Sequence, residues 1–116
     1  MTQKTALFAF NGDPMCFVHV LLNALDMEAR GYDVKVVIEG GATKTVNVLN
    51  DPAAQFHKLY VQVVEKGIID CVCRACAAKM GALPGIEAQG LPLCGDMKGH
   101  PSIASYIDAG YEVITF

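Results

Sequence analysis

The chain has 116 residues, 53% hydrophobic and 18% charged, with a formal net charge of −3. That length fits one domain, 1–116, and the absence of any basic stripe argues against a nucleic-acid partner. No stretch approaches the ~20 apolar residues that cross a bilayer. The opening "MTQKTALFAFNGDP" is too short in its apolar part for a signal peptide, so the expectation is a cytoplasmic protein with no membrane span. So apolar a chain at this size calls for a covering subunit.

The first apolar run, "ALFAF" (6–10), reads as a strand buried on both faces. Asp13 can then cap and Pro14 open a helix running from Met15 to Arg30, ending before Gly31. Its polar residues His19, Asn23, Asp26 and Arg30 form one narrow stripe, so the helix should be buried on more than one side, as core and subunit interface. A second strand, "VKVVI" (34–38), leads into "GGATKTVNVLNDP" (40–52), which reads as a connection and lacks the ending of a nucleotide-binding loop. Asp51–Pro52 repeats the helix-start signal, and the predicted helix ends at Lys66–Gly67 with Phe56, Tyr60 and Val63 inward and His57 on its flank. "IIDCV" (68–72) is the third strand, and a short helix follows from Arg74 to Met80, closed by Gly81. Residues 81–100 form a long Gly- and Pro-rich loop containing a weak strand, "LPLC" (91–94), whose Pro92 lacks a ladder donor. The last helix starts at Pro101 and stops at Gly110, before the strand "EVITF" (112–116). This alternation predicts an α/β fold with three layers, α/β/α, and a mostly parallel five-stranded sheet.

Three of the five cysteines fall within "DCVCRACAAKMG" (70–81). In a reducing compartment such a cluster reads as chemistry or metal binding rather than as bridges. Cys71, inside the strand, reads as a buried small hydrophobe. Cys73 falls at the carboxyl end of the strand where a helix opens, a position that favours an exposed, readily ionised thiolate. Cys76 follows one helical turn later on the same side. Cys16 and Cys94 follow other strands and can open on the same rim. In "GDMKGHPS" (95–102), Lys98, Gly99 and His100 precede a helix and suit an anionic group or the substrate of Cys73. His19, one turn after Cys16, can act as base to that thiol.

The opening strand with its long helix running into "EARGYDVKVVIEG", the segment "IIDCVCRACAAKMG" and the closing "GYEVITF" resemble the DsrE/DsrF-like family, which includes TusD-, DsrE- and YchN-like small sulfur-relay proteins. In relay members one cysteine stands just after the third strand with a glycine eight residues later, the spacing of Cys73 and Gly81. The resemblance implies a persulfide carried on Cys73, no cofactor, sulfur donor and acceptor proteins as partners, and a homotrimer or homohexamer. Cys76 and Cys94 are then the helpers and Cys16 with Lys98, Gly99 and His100 the pocket. Extra thiols at Cys71 and Cys76 depart from a single-cysteine relay, because a neighbouring thiol discharges a persulfide as a disulfide. The competing expectations are a zinc or iron site built from Cys73 and Cys76 with Cys94 and one of Cys16, Cys71 or His100, a redox dithiol at Cys73–Cys76, and a non-catalytic binding protein.

Overall fold

A computed structural model describes residues 2–116. Five strands form one sheet, β1 (Lys4–Ala9), β2 (Asp33–Ile38), β3 (Ile69–Cys73), β4 (Leu93–Cys94) and β5 (Glu112–Thr115). Their spatial order is β4-β3-β2-β1-β5 and every pairing is parallel. The expected α/β class with a parallel five-stranded sheet is what the molecule has.

Six helices connect the strands: α1 (Pro14–Ala29), α2 (Ala42–Leu49), α3 (His57–Glu65), α4 (Arg74–Lys79), α5 (Leu83–Gln89) and α6 (Ile103–Asp108). From β1 to β4 each strand is laid beside the last in one direction, so right-handed crossovers put α1 to α5 on one face. There Leu7, Val36, Ile38 and Val72 pack against Phe17, Leu21, Val46, Tyr60, Val63 and Ile86. The chain then crosses to the far side of β1, which places α6 on the opposite face. That face buries a smaller cluster, Ala6, Phe8, Val37 and Cys71, beneath Tyr106 and Tyr111. The two helical layers are therefore unequal.

Three stretches differ from expectation. The predicted 52–66 helix is shortened at its start, because Asp51 accepts the Ala53 N–H in a tight turn rather than capping a helix. Phe56, with φ of 71°, starts α3 only at His57. Upstream, α2 occupies part of the segment read as a connection, burying Ala42, Val46 and Leu49 on one side. The 81–100 segment likewise contains α5, with Pro84 in its first turn and Gly90 ending it. Among the described residues no helix is long and apolar enough to cross a membrane.

Candidate metal centre

Strand β3 delivers Cys73 as its last residue, and the same residue is the N-cap of α4. Its backbone is extended there (φ −61°, ψ 116°), so the side chain turns back over the helix start and Sγ accepts the Cys76 N–H at 3.3 Å. Cys76 lies one turn into α4, half-buried, with its own sulfur on the same side.

The third group arrives on the loop after β4. Lys98 and Gly99 both take left-handed backbone, φ 51° and 92°. A Cβ on Gly99 would lie 2.9 Å from the Ala75 side chain, so only glycine lets the loop sit so near α4. The Gly99 carbonyl accepts the Ala75 N–H at 2.9 Å and lies 3.6 Å from Cys73 Sγ. Met97 and His100 exchange backbone hydrogen bonds of 2.8 and 3.0 Å, closing the turn. The result sets His100 Nδ1 3.2 Å from Cys73 Sγ and 3.6 Å from Cys76 Sγ.

Glu39 is the fourth group. It follows β2 directly, its N–H held by the Ala9 carbonyl at 2.8 Å, and it is buried. One ligand atom from each of Glu39, Cys73, Cys76 and His100 can be chosen so that all four lie within 4.8 Å of one another. Two thiols, an imidazole and a carboxylate at the carboxyl edge of a parallel sheet are a donor set suited to zinc and related metals.

The electrostatics correct one expectation. The Cys73 thiol has no exposed surface, and burial pushes it up to about 12, outweighing the Cys76 N–H that favours its anion. The neighbouring Cys76 and Glu39 push it the same way. Without a metal, Cys73 is thus a sealed, protonated thiol rather than an exposed thiolate: one backbone donor from a six-residue helix does not offset desolvation. Burial also raises the Glu39 carboxyl, with the charge of His100 working in the opposite direction.

A second correction concerns Cys71 and Cys94. Cys71 is buried as expected, but it is bonded to Cys94 in a disulfide, with Cα atoms 5.6 Å apart. The cluster is therefore not uniformly reduced, and Cys94 is no free helper to Cys73. Cys16 is exposed at the start of α1 and, with Asn11, His19, Asn23 and Phe116, lines a separate cavity of about 430 Å³. Lys98 is exposed and contributes its backbone turn, and Gly99 contributes its carbonyl. His57 Nδ1 meets the Leu49 carbonyl at 2.7 Å and ties α3 to α2. Of the predicted site residues, Cys73, Cys76 and His100 converge, with Gly99 beside them. Glu39 escaped the sequence reading, although an acidic residue directly after the apolar end of a strand, Val36–Ile38, and just before two glycines was the available signal.

No protein-family model matches the chain. It is 32% identical over 99 residues to the uncharacterized protein MJ0733 of Methanocaldococcus jannaschii, covering 84% of this chain and 77% of that protein. An uncharacterized protein of Archaeoglobus fulgidus is 46% identical over 43 residues, 37% of this chain and 70% of its own length. Another from the same organism is 51% identical over 37 residues, 32% of this chain and all of that protein. The solved structure of BT1422, a conserved protein of unknown function from Bacteroides thetaiotaomicron, superposes with a TM-score of 0.71. It is 16% identical, covers 97% of this chain and 95% of its own, and shares the fold. The chain belongs to the same family as MJ0733.

Proposed function

We propose that this member of the MJ0733 family binds one transition-metal ion, zinc(II) by preference, through Cys73 Sγ, Cys76 Sγ, His100 Nδ1 and a Glu39 carboxylate oxygen. The convergence of these four groups from three separate segments carries the reading. Zinc bonds of 2.0–2.3 Å set tetrahedral ligand-to-ligand edges of roughly 3.3–3.8 Å. The 3.2 and 3.6 Å separations of His100 Nδ1 from the two sulfurs are close to those edges. A buried carboxylate such as that of Glu39 is ordinarily paired or bound to metal when ionised. On binding, the two S–H protons leave to solvent and two metal–sulfur bonds replace them, so affinity rises with pH. The ion would tie the end of β2, the start of α4 and the loop after β4 to one another.

Persulfide transfer through Cys73, implied by the resemblance to the DsrE/DsrF-like family, has less support. It needs a thiolate open to a donor protein, whereas the sulfur is buried, protonated and roofed by residues 97–100. From the same resemblance comes the proposal of a homotrimer or homohexamer, in line with Met15 and Leu22 standing exposed along α1. A cytoplasmic location also belongs to the proposal, with Cys71–Cys94 as a bridge protected by near-complete burial of Cys71.

Competition titration against a chromophoric chelator tests the metal reading. One equivalent of zinc per chain is expected, strongly weakened in Cys73→Ser and in His100→Ala. A folded wild-type chain that takes up no zinc, cobalt or iron refutes it. A sulfur atom added to Cys73 by a persulfide donor, and absent in Cys73→Ser, would favour relay instead.

A further inference from the structure

Glu39 and His100 face two ways. Besides joining the four-group cluster, both line a cavity of about 370 Å³ whose other walls include Phe10, Met97, Pro101 and Ile103. That volume lies at the lower end of small-molecule sites. A metal held by the cluster would have its carboxylate side turned toward this space, while the sulfurs lie beneath the start of α4 and the 97–100 turn.

The walls restrict what can enter. Among the described residues lining the cavity none is lysine or arginine, and Ser102 is engaged as the N-cap of α6, accepting the Ser105 N–H at 3.2 Å. Glu39 opposes a permanently anionic visitor. Carboxylates and phosphates are thus disfavoured, and a guest has to be neutral until it meets the metal. The apolar walls ask for an apolar body. A metal already held by two thiolates and an imidazole is borderline-soft and favours sulfur over oxygen as an incoming donor.

We propose that this cavity admits a small apolar thiol, which displaces the Glu39 carboxylate and becomes a sulfur ligand of the metal bound by Cys73, Cys76 and His100. The inference rests on the metal reading given above. In the step the S–H bond of the guest breaks and its proton passes to solvent. One metal–oxygen bond to Glu39 is exchanged for one metal–sulfur bond, the carboxylate is left free, and no oxidation state changes. The chain would then be a receptor for, or an activator of, low-molecular-weight thiols of modest bulk.

The cobalt(II)-loaded full chain titrated with 1-propanethiol, 1-propanol and propionate provides the test. Propanethiol should raise the sulfur-to-cobalt charge-transfer absorption by about one half, as coordinated thiolates go from two to three. Propanol and propionate should leave it unchanged. Ala104 is exposed on α6 and lines the cavity. Ala104→Trp should keep the starting cobalt spectrum and weaken the thiol response at least tenfold. A normal cobalt spectrum that ignores propanethiol, an equal response to propionate, an undiminished response in Ala104→Trp, or cobalt stripped from the protein each overturns the thiol site while leaving the metal reading standing. Failure of the wild-type chain to bind cobalt or zinc at all removes both.

Discussion

Cys71 and Cys73 lie two positions apart on β3, on the same side of the sheet, yet one is oxidised and the other sits in a polar cluster. Cys71 is inside the strand, its sulfur 3.6 Å from the Tyr106 hydroxyl of α6, and it bonds Cys94 across the β3–β4 ladder. Cys73 is the in-register neighbour of Cys94. Because its backbone is already leaving the sheet, its sulfur serves the helix start and the loop instead. A displacement of two residues therefore separates a staple from a member of the cluster with Glu39, Cys76 and His100. The staple has its own logic. β4 is a two-residue edge strand with few ladder bonds, and the loop carrying His100 departs directly from it. Holding β4 holds the origin of that loop.

This contrast is broken most severely at Cys73. Cys73→Ser removes one of two thiolates and should cut zinc affinity about 1,000-fold, ~4 kcal/mol, by calorimetry or chelator competition. Retained tight binding would mean that the metal sits elsewhere. Next in size is the staple. Replacing Cys71 and Cys94 together by alanine opens a loop of 23-residue separation. That should cost about 3 kcal/mol of stability in a urea titration, with one equivalent of metal still bound. Complete loss of metal in this double variant would show that the two pairs are not separable. A smaller effect is expected for Glu39→Gln, which keeps the shape but weakens the oxygen ligand. Its zinc affinity should fall roughly 10- to 100-fold, comparable to loss of an outer-shell partner.

The smallest effect is an alkaline trend in the metal-free chain. Cys73 is raised from 9.0 to about 12, and Tyr111, raised chiefly by burial and by its hydrogen bond to Asp33, goes from 10.0 to about 12. In both, the folded state keeps a proton that the unfolded chain has already lost. Their stabilisation is complete below pH 9 and disappears as pH climbs toward 12, by on the order of 1 kcal/mol per pH unit at first. Denaturation midpoints that stay flat from pH 8 to 10.5 would show that these groups are not protected as described.

Much of the sheet was legible because covered parallel strands are apolar runs, as in 6–10. The run 112–116 does form β5, but as an edge strand with Glu112, Ile114 and Thr115 exposed rather than a strand buried on both faces. The first helix was legible from its cap, since Asp13 accepts the Met15 N–H as its Asp–Pro sequence suggests. The same Asp–Pro signal misled at Asp51, where the following residues turn instead of winding. α2 was hidden by two glycines and by threonines, Thr43 and Thr45, that the fold buries after satisfying their hydroxyls with the Gly40 and Gly12 carbonyls. At the site, sequence spacing brought Cys73 and Cys76 together and named His100. It could not supply Glu39, which arrives from another strand, nor decide which thiols pair, because that depends on the β3–β4 register. Nor did helix-start logic anticipate the burial of Cys73, since the covering turn 97–100 is distant in the chain.

X-ray absorption at the zinc edge of the oxidised full chain addresses the central assignment most directly. Two sulfur atoms near 2.3 Å with two lighter ligands near 2.0–2.2 Å are the expected first shell. Three or four sulfurs would mean that Cys71 or Cys94 has left its disulfide to join the ion, and a shell of nitrogen and oxygen alone would place the metal away from Cys73 and Cys76.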